Sequence, residues 1–255
     1  MSSSTPLVIL CTGASRGIGF AIIQALASHP RTAGASFLLG CRSADKGKTA
    51  IDELRASKGI TSSIEPVVLD VTSDESIRGA LELVQRLYGR LDVLINNAGY
   101  AAIPSASEYS DWRDIYAKVY ETNVTSVALM MQNFLPLLRK STGTIINISS
   151  ARGSAGLASG GALPPTVSVP YSVSKAALNM LTIETSRQVE NQNVEFQLVS
   201  PGHCKTAFNG YRGTRDPLEG ANVVVELVVA RKSKYKNAGF WETRGASMDL
   251  VEIPW

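Results

Sequence analysis

Short runs of apolar residues alternate along the chain with longer segments in which apolar positions recur at helical spacing. Continuous apolar runs bounded by polar residues are typical of strands that are covered on both faces. The pattern predicts strands at residues 7–11, 36–41, 64–70, 91–96, 143–149 and 194–200.

The amphipathic segments between these runs predict helices, and one of them opens with TSDES, a good N-cap signal. The predicted helices cover residues 18–28, 44–57, 72–88, 111–139 and 171–190. Regular alternation of strand and helix favours a doubly wound parallel sheet with right-handed crossovers. Such sheets bind ligands at the carboxyl ends of their strands, so the residues at those ends are the candidates for function.

Composition narrows the class of protein. The chain has 255 residues, 44% of them apolar, which suits one large α/β domain or two small ones. The net charge is +3 and the basic residues are scattered, which argues against nucleic acid as a partner. Two histidines and three cysteines form no HExxH or clustered ligand pattern, so no metal site is predicted.

The sequence favours a protein of the cytoplasm without a membrane partner. The most apolar segment, residues 124–138, is too short for a bilayer span and contains Gln132 and Asn133, so a buried helix is expected. The first residues have no basic region ahead of a long apolar run, unlike a signal peptide. Cysteines outside any CxxC pattern fit a reducing, cytoplasmic setting.

The first predicted strand runs into CTGASRGIG, which carries Gly13, Gly17 and Gly19. This spacing departs from the G-x-G-x-x-G dinucleotide fingerprint, but the physical reason for the glycines is shared. They let the backbone turn tightly and approach a pyrophosphate at the positive N-terminus of the following helix. A purely structural turn is the alternative, and the place of the turn between the first strand and an amphipathic helix favours binding.

The end of the second predicted strand discriminates between dinucleotides. An NAD site usually has an acidic residue there for the ribose hydroxyls, but here Arg42 follows the strand and Asp45 comes only after the turn. Arg16 lies within the glycine turn. Arginine makes bidentate contacts with phosphate, so the two together favour NADPH, although each alone is typical of a solvated surface.

Two further strand ends carry polar residues, each with two interpretations. Asp70, followed by Val71, is placed to accept from an adenine amino group or to cap the next helix. The asparagines of NNAG, residues 96–99, need partners if they are buried, because an unpaired buried amide costs about 1–3 kcal/mol. They either stabilise the sheet or border a cofactor.

The fifth predicted strand ends at Ser149 and Ser150, and the stretch PYSVSKAAL then places Tyr171 four residues ahead of Lys175. A serine here is either a donor to a carbonyl oxygen or a loop residue bonded to its own backbone. A tyrosine and lysine at this spacing share one helix face, usually as a surface pair. A nearby ammonium favours the phenolate, so the pair also suits acid–base chemistry.

Taken together, these segments resemble the short-chain dehydrogenase/reductase family. The matching segments are TGASRGIG, NNAG, ETNVTS, NISS, YSVSK and SPGHCKT, in the family's order and across most of the chain. The resemblance implies a single-domain Rossmann fold over residues 1–255, an α/β doubly wound parallel sheet of about seven strands with helices on both faces. The ending GFWETRGASMDLVEIPW resembles the carbonyl-reductase-like branch.

The resemblance implies a catalytic tetrad. Tyr171 would be the general acid, Ser150 would polarise the carbonyl, Lys175 would lower the tyrosine pKa and bind the nicotinamide ribose, and Asn123 would hold a water linked to Lys175. NADPH or NADP+ is the implied cofactor. The implied cofactor-binding residues are Gly13, Ser15, Arg16, Gly17, Ile18, Gly19, Arg42, Asp70, Val71, Asn97, Ala98, Gly99, Tyr171, Lys175, Pro201, Gly202 and Thr206.

Two segments are predicted to form the substrate site, residues 151–170 and 203–217. The first is rich in Gly, Ala, Ser and Pro and is longer than the family's usual spacing, so it is either a surface loop or the rim of a pocket. In the second, Cys204 replaces the family's valine. His203 either lines the substrate site or packs on the cofactor loop. Residues that would supply apolar walls, or belong to the core instead, are Tyr100, Phe208, Tyr211 and Trp241.

The expected activity is the NADPH-dependent reduction of a ketone or aldehyde, with a small hydrophobic carbonyl compound as substrate. Alcohol oxidation and the reduction of a C=C or C=N bond are alternatives, as is a non-catalytic NADP-binding regulator. The family's dimers pair through the helices predicted at 111–139 and 171–190. The longer segment before Tyr171 would obstruct such pairing, so a monomer and a homodimer are both expected possibilities.

Overall fold

A computed structural model describes residues 6–57, 59–104, 110–244 and 249–255. One sheet contains eight strands in the order β3-β2-β1-β4-β5-β6-β7-β8. The strands are β1 (Val8–Cys11), β2 (Ser36–Cys41), β3 (Ser63–Val68), β4 (Val93–Asn96), β5 (Thr144–Ile148), β6 (Glu195–Val199), β7 (Gly239–Arg244) and β8 (Asp249–Glu252).

All neighbouring strands from β3 to β7 are parallel, and only β8 runs antiparallel to β7. Each strand predicted from apolar runs is confirmed, with ends that differ from the prediction by at most two residues. The order reverses between β1 and β4, which is where doubly wound sheets bind their ligands. The carboxyl ends of β1, β4 and β5 therefore meet at the site.

The helices are α1 (Gly17–Ala27), α2 (Ala44–Ala56), α3 (Asp74–Tyr88), α4 (Ser110–Tyr120), α5 (Ser126–Ser141), α6 (Ala155–Ser159), α7 (Val169–Ser186) and α8 (Pro217–Val229). They cover both faces of the sheet, as predicted. One buried cluster joins α1, α2 and α8 to the sheet, and the other joins α3, α5 and α7. None of the helices in the described ranges is both long and apolar enough to cross a membrane.

The prediction of one long helix at 111–139 is wrong in one respect. A π-helical segment, Glu121–Thr125, separates α4 from α5. Its wider turn carries one extra residue per turn, and such segments are frequent at functional sites. The helix predicted at 171–190 begins earlier, at Val169, because Pro170 is tolerated in a first turn where its missing N–H is not needed. It also ends earlier, at Ser186, and a separate 3₁₀ turn, Val189–Asn191, follows.

The segment 151–170 is more ordered than its composition predicts. It contains a short 3₁₀ turn, Ala151–Gly153, followed by α6. Two serines explain this order, because each caps the turn that follows it. The Ser150 hydroxyl accepts a hydrogen bond from the Arg152 amide at 3.2 Å, and that of Ser154 accepts from the Leu157 amide at 3.0 Å.

Candidate active site

The glycine turn between β1 and α1 has the backbone geometry that its sequence predicts. Gly13 and Gly17 have φ angles of +63° and +61°, in the left-handed region where a side chain is strained. Gly19 is required by packing, because a Cβ there would lie 2.5 Å from the Asn97 amide nitrogen and 2.8 Å from the Gly13 carbonyl oxygen. Ser15 and Ile18 complete the turn and are partly buried.

The start of α1 is suited to an anion. Arg16 occupies the N-cap position in an extended conformation, and within the described structure its side chain makes no capping hydrogen bond. The first turn of α1 contains no acidic residue. The backbone N–H groups at this end therefore remain available to a phosphate, and the helix dipole favours the negative charge.

Two exposed arginines lie at this edge of the sheet. Arg42 directly follows β2, and Arg16 precedes α1. Among the described residues, neither guanidinium makes an ion pair or a side-chain hydrogen bond. Both are thus free to bind a phosphate, as the sequence predicts, although the ligand itself stays a prediction.

The structure at the end of β3 shows whether Asp70 caps the next helix. The Asp70 carboxylate accepts hydrogen bonds from the Thr72 amide at 3.0 Å and from its hydroxyl at 2.7 Å. The cap of α3 is Ser73, whose hydroxyl accepts from the Ser76 amide at 3.3 Å. Asp70 therefore orders the turn but does not cap the helix, and Val71 beside it is 8% exposed. Their predicted contact with adenine stays a prediction.

The two asparagines of NNAG have different partners. Asn96 donates to the Asn147 side chain at 2.8 Å, and Asn147 donates to the Thr182 hydroxyl at 2.8 Å. This buried polar ladder joins β4, β5 and α7. Asn97 instead donates to the Thr12 carbonyl at 2.8 Å and to the Gly13 carbonyl at 3.1 Å. One asparagine therefore stabilises the sheet, and the other holds the glycine turn.

Ala98 and Gly99, the last two residues of NNAG, lie against the glycine turn and the π-helical segment. The Ala98 amide donates to the Thr12 hydroxyl at 3.0 Å. A Cβ on Gly99 would lie 3.5 Å from the Asn123 side-chain oxygen. The carboxyl end of β4 is thus packed between the glycine turn and the π-helical segment.

Tyr171 and Lys175 lie on one face of α7. The Lys175 ammonium nitrogen is 5.6 Å from the centre of the Tyr171 ring and donates to the Ile148 carbonyl at 2.6 Å. The Ser150 side chain lies near enough to Tyr171 to lower its pKa. Three of the four predicted catalytic residues therefore meet at the carboxyl end of β5.

Burial sets the proton affinity of this pair. Desolvation raises the pKa of Tyr171 to about 12, although the Ser150 side chain opposes the shift. Desolvation also lowers the pKa of Lys175 from 10.5 to about 7. The lowering of the tyrosine pKa by Lys175 stays a prediction, because the causes of the shift in the structure are desolvation and the Ser150 side chain. The tyrosine is protonated at neutral pH and the lysine is close to its titration point.

Asn123, the fourth predicted residue, is fully buried in the π-helical segment. Its amide nitrogen donates to the Tyr100 carbonyl at 2.9 Å and to the Ser174 hydroxyl at 3.0 Å, and its oxygen accepts from the Tyr100 amide at 2.8 Å. The Ser174 hydroxyl donates to the Tyr171 carbonyl at 2.7 Å. Asn123 thus ties the segment after β4 to the start of α7, and its predicted hold on a water stays a prediction.

Two residues that support the site were missed in the sequence. Asn179 accepts from the buried Ser149 hydroxyl at 2.6 Å and donates to the Gly153 carbonyl at 3.1 Å. Gly153 packs so closely on α7 that a Cβ would lie 2.7 Å from the Lys175 carbonyl carbon. One signal was available, because Asn179 stands on the same helix as Tyr171, one turn beyond Lys175.

The segment after β6 lies against the glycine turn. A Cβ on Gly17 would be 3.6 Å from the Thr206 methyl group. A cavity of about 370 Å³ opens here between α1 and residues 205–218, and Arg16, Gly17 and Thr206 are among the residues that line it. Two predicted cofactor-binding segments therefore border one space.

Pro201 and Gly202 begin this segment. The Pro201 carbonyl accepts from the buried Cys204 thiol at 3.2 Å, and Gly202 has a φ of +82°. Burial raises the pKa of Cys204 to about 11. His203 is exposed, and its carbonyl accepts from the Arg215 amide at 3.1 Å. Cys204 is thus an internal packing residue, and both interpretations of His203 stay open.

The aromatic residues predicted as walls divide into two groups. Phe208 is 51% exposed, with its ring 5.8 Å from that of Tyr171, and Tyr100 and Tyr211 are exposed as well. Trp241 belongs to the core, since it is 9% exposed and donates to the Gln197 side chain at 2.7 Å. Phe208 is therefore the aromatic wall in direct contact with the tyrosine.

Comparison with known proteins gives one family. The model of the short chain dehydrogenase family matches residues 7–216. A short-chain dehydrogenase of Penicillium roqueforti is 37% identical, with 100% of both chains covered.

Two solved structures resemble the fold closely. One is an alcohol dehydrogenase from the archaeon Thermococcus sibiricus, complexed with 5-hydroxy-NADP, with a TM-score of 0.74 and 28% identity over 91% of this chain and 94% of that one. The other is an NADPH-bound carbonyl reductase from chicken fatty liver, with a TM-score of 0.76 and 28% identity over 92% and 95% of the two chains.

Proposed function

Because this chain belongs to the short-chain dehydrogenase/reductase family, we propose that it reduces a ketone or aldehyde to an alcohol with NADPH, as a carbonyl-reductase-type enzyme. The observation that carries the proposal is the meeting of Ser150, Tyr171 and Lys175 at the end of β5. A proton donor, a hydroxyl and a buried lysine at one strand end suit acid–base chemistry on a carbonyl oxygen.

The described residues fit NADPH. The glycine turn and the uncapped start of α1 would hold the pyrophosphate, and Arg16 and Arg42 would bind the 2′-phosphate. NADPH, when bound, supplies a hydride to the carbonyl carbon. The NADP and NADPH complexes of the two similar structures support this choice.

The protein's own residues would handle the proton. Tyr171, with a pKa of about 12, carries its proton at neutral pH and would give it to the carbonyl oxygen as charge develops there. Ser150 would donate a hydrogen bond to the same oxygen, which stabilises that charge. Lys175, fixed by the Ile148 carbonyl, would favour the phenolate that remains.

An apolar substrate fits the surroundings of Tyr171. Phe208 packs beside the tyrosine ring, with the ring centres 5.8 Å apart, and the backbone of the exposed Tyr100 is held by Asn123. Exposed aromatic surface at a reacting group favours a hydrophobic ketone, because binding buries that surface. The 151–170 segment would form the opposite rim.

The test is to mix the pure protein with NADPH and a panel of ketones and aldehydes and to follow the loss of nucleotide absorbance. Tyr171→Phe should abolish turnover, whereas Tyr88→Phe, a matched change on α3 away from the site, should leave it unchanged. Product analysis by NMR distinguishes carbonyl reduction from C=C or C=N reduction. Wild-type turnover by Tyr171→Phe, or NADPH binding without turnover of any carbonyl, would overturn the proposal.

A further inference from the structure

The segment 253–255 lies on the sheet and touches α6, the short helix inside the longer segment before Tyr171. The Ile253 amide donates to the Phe240 carbonyl at 2.7 Å, and Ile253 is 1% exposed. The Trp255 ring stacks on the Phe240 ring, with centroids 5.7 Å apart and planes 25° from parallel. Phe240 is fully buried on β7. The segment is therefore anchored to a rigid strand.

Two hydrogen bonds join this anchored segment to α6 and its N-cap. The Gly156 amide donates to the Trp255 carbonyl at 2.6 Å, and the Ser154 hydroxyl donates to the Pro254 carbonyl. A Cβ on Gly156 would lie 2.7 Å from the Trp255 carbonyl oxygen, so the approach requires glycine. Because Ser154 also caps α6, the start of the helix is fixed from both sides.

The same stretch leads directly to the reacting residues. Gly153 packs against the Lys175 backbone and is held by Asn179. Beyond α6, most residues from 160 to 167 are exposed, and that stretch is closed at its base by a hydrogen bond from Arg152 to the Pro164 carbonyl. The side near Lys175 is thus fixed by α7, whereas the contacts with Trp255 fix the start of α6 on the outer side.

We propose that Gly156 and Trp255 are positioning residues that set the placement of α6 and of the rim that follows it, and so determine how bulky carbonyl substrates bind. This inference rests on the proposed function. Loosening the contact would displace the outer rim and leave Tyr171 and Lys175 in place, because they lie on α7 and Lys175 is held by Ile148. Substrate binding should therefore suffer more than the chemical step.

The experiment compares Trp255→Ala, Trp255→Phe and Gly156→Ala with Gly79→Ala. Gly79 is a matched control, since a Cβ on this α3 glycine meets nothing within 4 Å. For the bulkiest ketone turned over, Trp255→Ala and Gly156→Ala should raise KM by about tenfold with kcat within about twofold. NADPH affinity, measured by nucleotide fluorescence, should be unchanged. Trp255→Phe, which keeps a stacking ring, should restore most of the wild-type KM.

Hydrogen exchange of residues 154–168 tests the positioning apart from turnover. Trp255→Ala should speed exchange there and leave residues 171–186 protected. Unchanged exchange at 154–168, or an unchanged KM in both variants, overturns the inference. A parallel fall in kcat, NADPH affinity and thermal stability overturns it as well, because that pattern indicates general unfolding. Absence of wild-type turnover would overturn the proposed function, and the exchange result would still decide the positioning.

Discussion

The Lys175 ammonium nitrogen lies 5.6 Å from the centre of the Tyr171 ring, while its hydrogen bond goes to the Ile148 carbonyl at 2.6 Å. Lys175 is only 4% exposed, and burial lowers its pKa to about 7. The cation beside the proposed proton donor is therefore the group in the site that titrates close to neutral pH.

Folding stability should consequently rise with pH from about 7 to about 9. Unfolded Lys175 keeps its proton up to its ordinary pKa of 10.5, so the unfolded state binds more protons than the folded state above pH 7. The free energy of unfolding then increases with pH. Above about pH 9 the buried thiols, whose pKa values are raised by burial, act in the opposite direction.

Urea unfolding at a series of pH values measures this slope. Lys175→Met should lose the part of the slope that Lys175 contributes, whereas Lys48→Met, at an exposed position on α2, should keep it. The lowered pKa of Lys175 is refuted if wild type and Lys175→Met change in parallel across this range.

Replacing the adjacent serines Ser149 and Ser150 with alanine should affect two different properties, stability for Ser149 and turnover for Ser150. Ser150→Ala removes the hydroxyl that contacts Tyr171, so kcat should fall by about 100-fold with little loss of stability. Ser149→Ala removes a buried hydrogen bond to Asn179, so the free energy of unfolding should fall by about 1–3 kcal/mol.

Steady-state kinetics and urea unfolding of both variants check this contrast. Turnover per folded molecule should be retained in Ser149→Ala, which serves as the control for Ser150→Ala. The assignment of Ser150 fails if the two variants lose kcat equally.

Arg42→Ala should weaken the binding of NADPH more than the binding of NADH. If its exposed guanidinium binds the 2′-phosphate, NADPH affinity should fall by about tenfold while NADH affinity changes by less than about twofold. Titration of nucleotide fluorescence at fixed ionic strength measures both values. Lys48→Ala removes the same charge from the neighbouring helix and should leave the NADPH affinity unchanged. An equal loss for the two nucleotides would rule out a 2′-phosphate contact.

The part of the fold that the sequence predicts well is the part with local signals. Continuous apolar runs identified the six strands from β1 to β6, because strands covered on both faces bury nearly every side chain. The edge strand β3 is the exception, since only Ile64 and Val67 are buried in it. The hairpin of β7 and β8 was missed. In β7, Glu242 and Arg244 follow only a short apolar stretch, and β8 contains just Leu250 and Val251 between acidic residues.

In the candidate site, too, the sequence predicted the features with local signals and missed those that join distant segments. The Tyr171–Lys175 spacing and the glycine turn are local patterns, so the sequence located them. The hydrogen bonds from Asn123 to the Tyr100 backbone, and the approach of Gly153 to Lys175, join distant segments and have no local signature. The pKa shifts were equally hidden, because they follow from burial that only the packed structure defines.

The polar ladder from Asn96 through Asn147 to Thr182 has a consequence for how this chain can change over evolutionary time. Asn147 lies between the other two, so an apolar replacement of Asn96 or Thr182 removes one of its hydrogen-bond partners, and a buried polar group left unpaired costs about 1–3 kcal/mol. Replacing all three with apolar residues of similar volume avoids that cost. These three positions are therefore expected to covary among related sequences, being either all kept or all replaced.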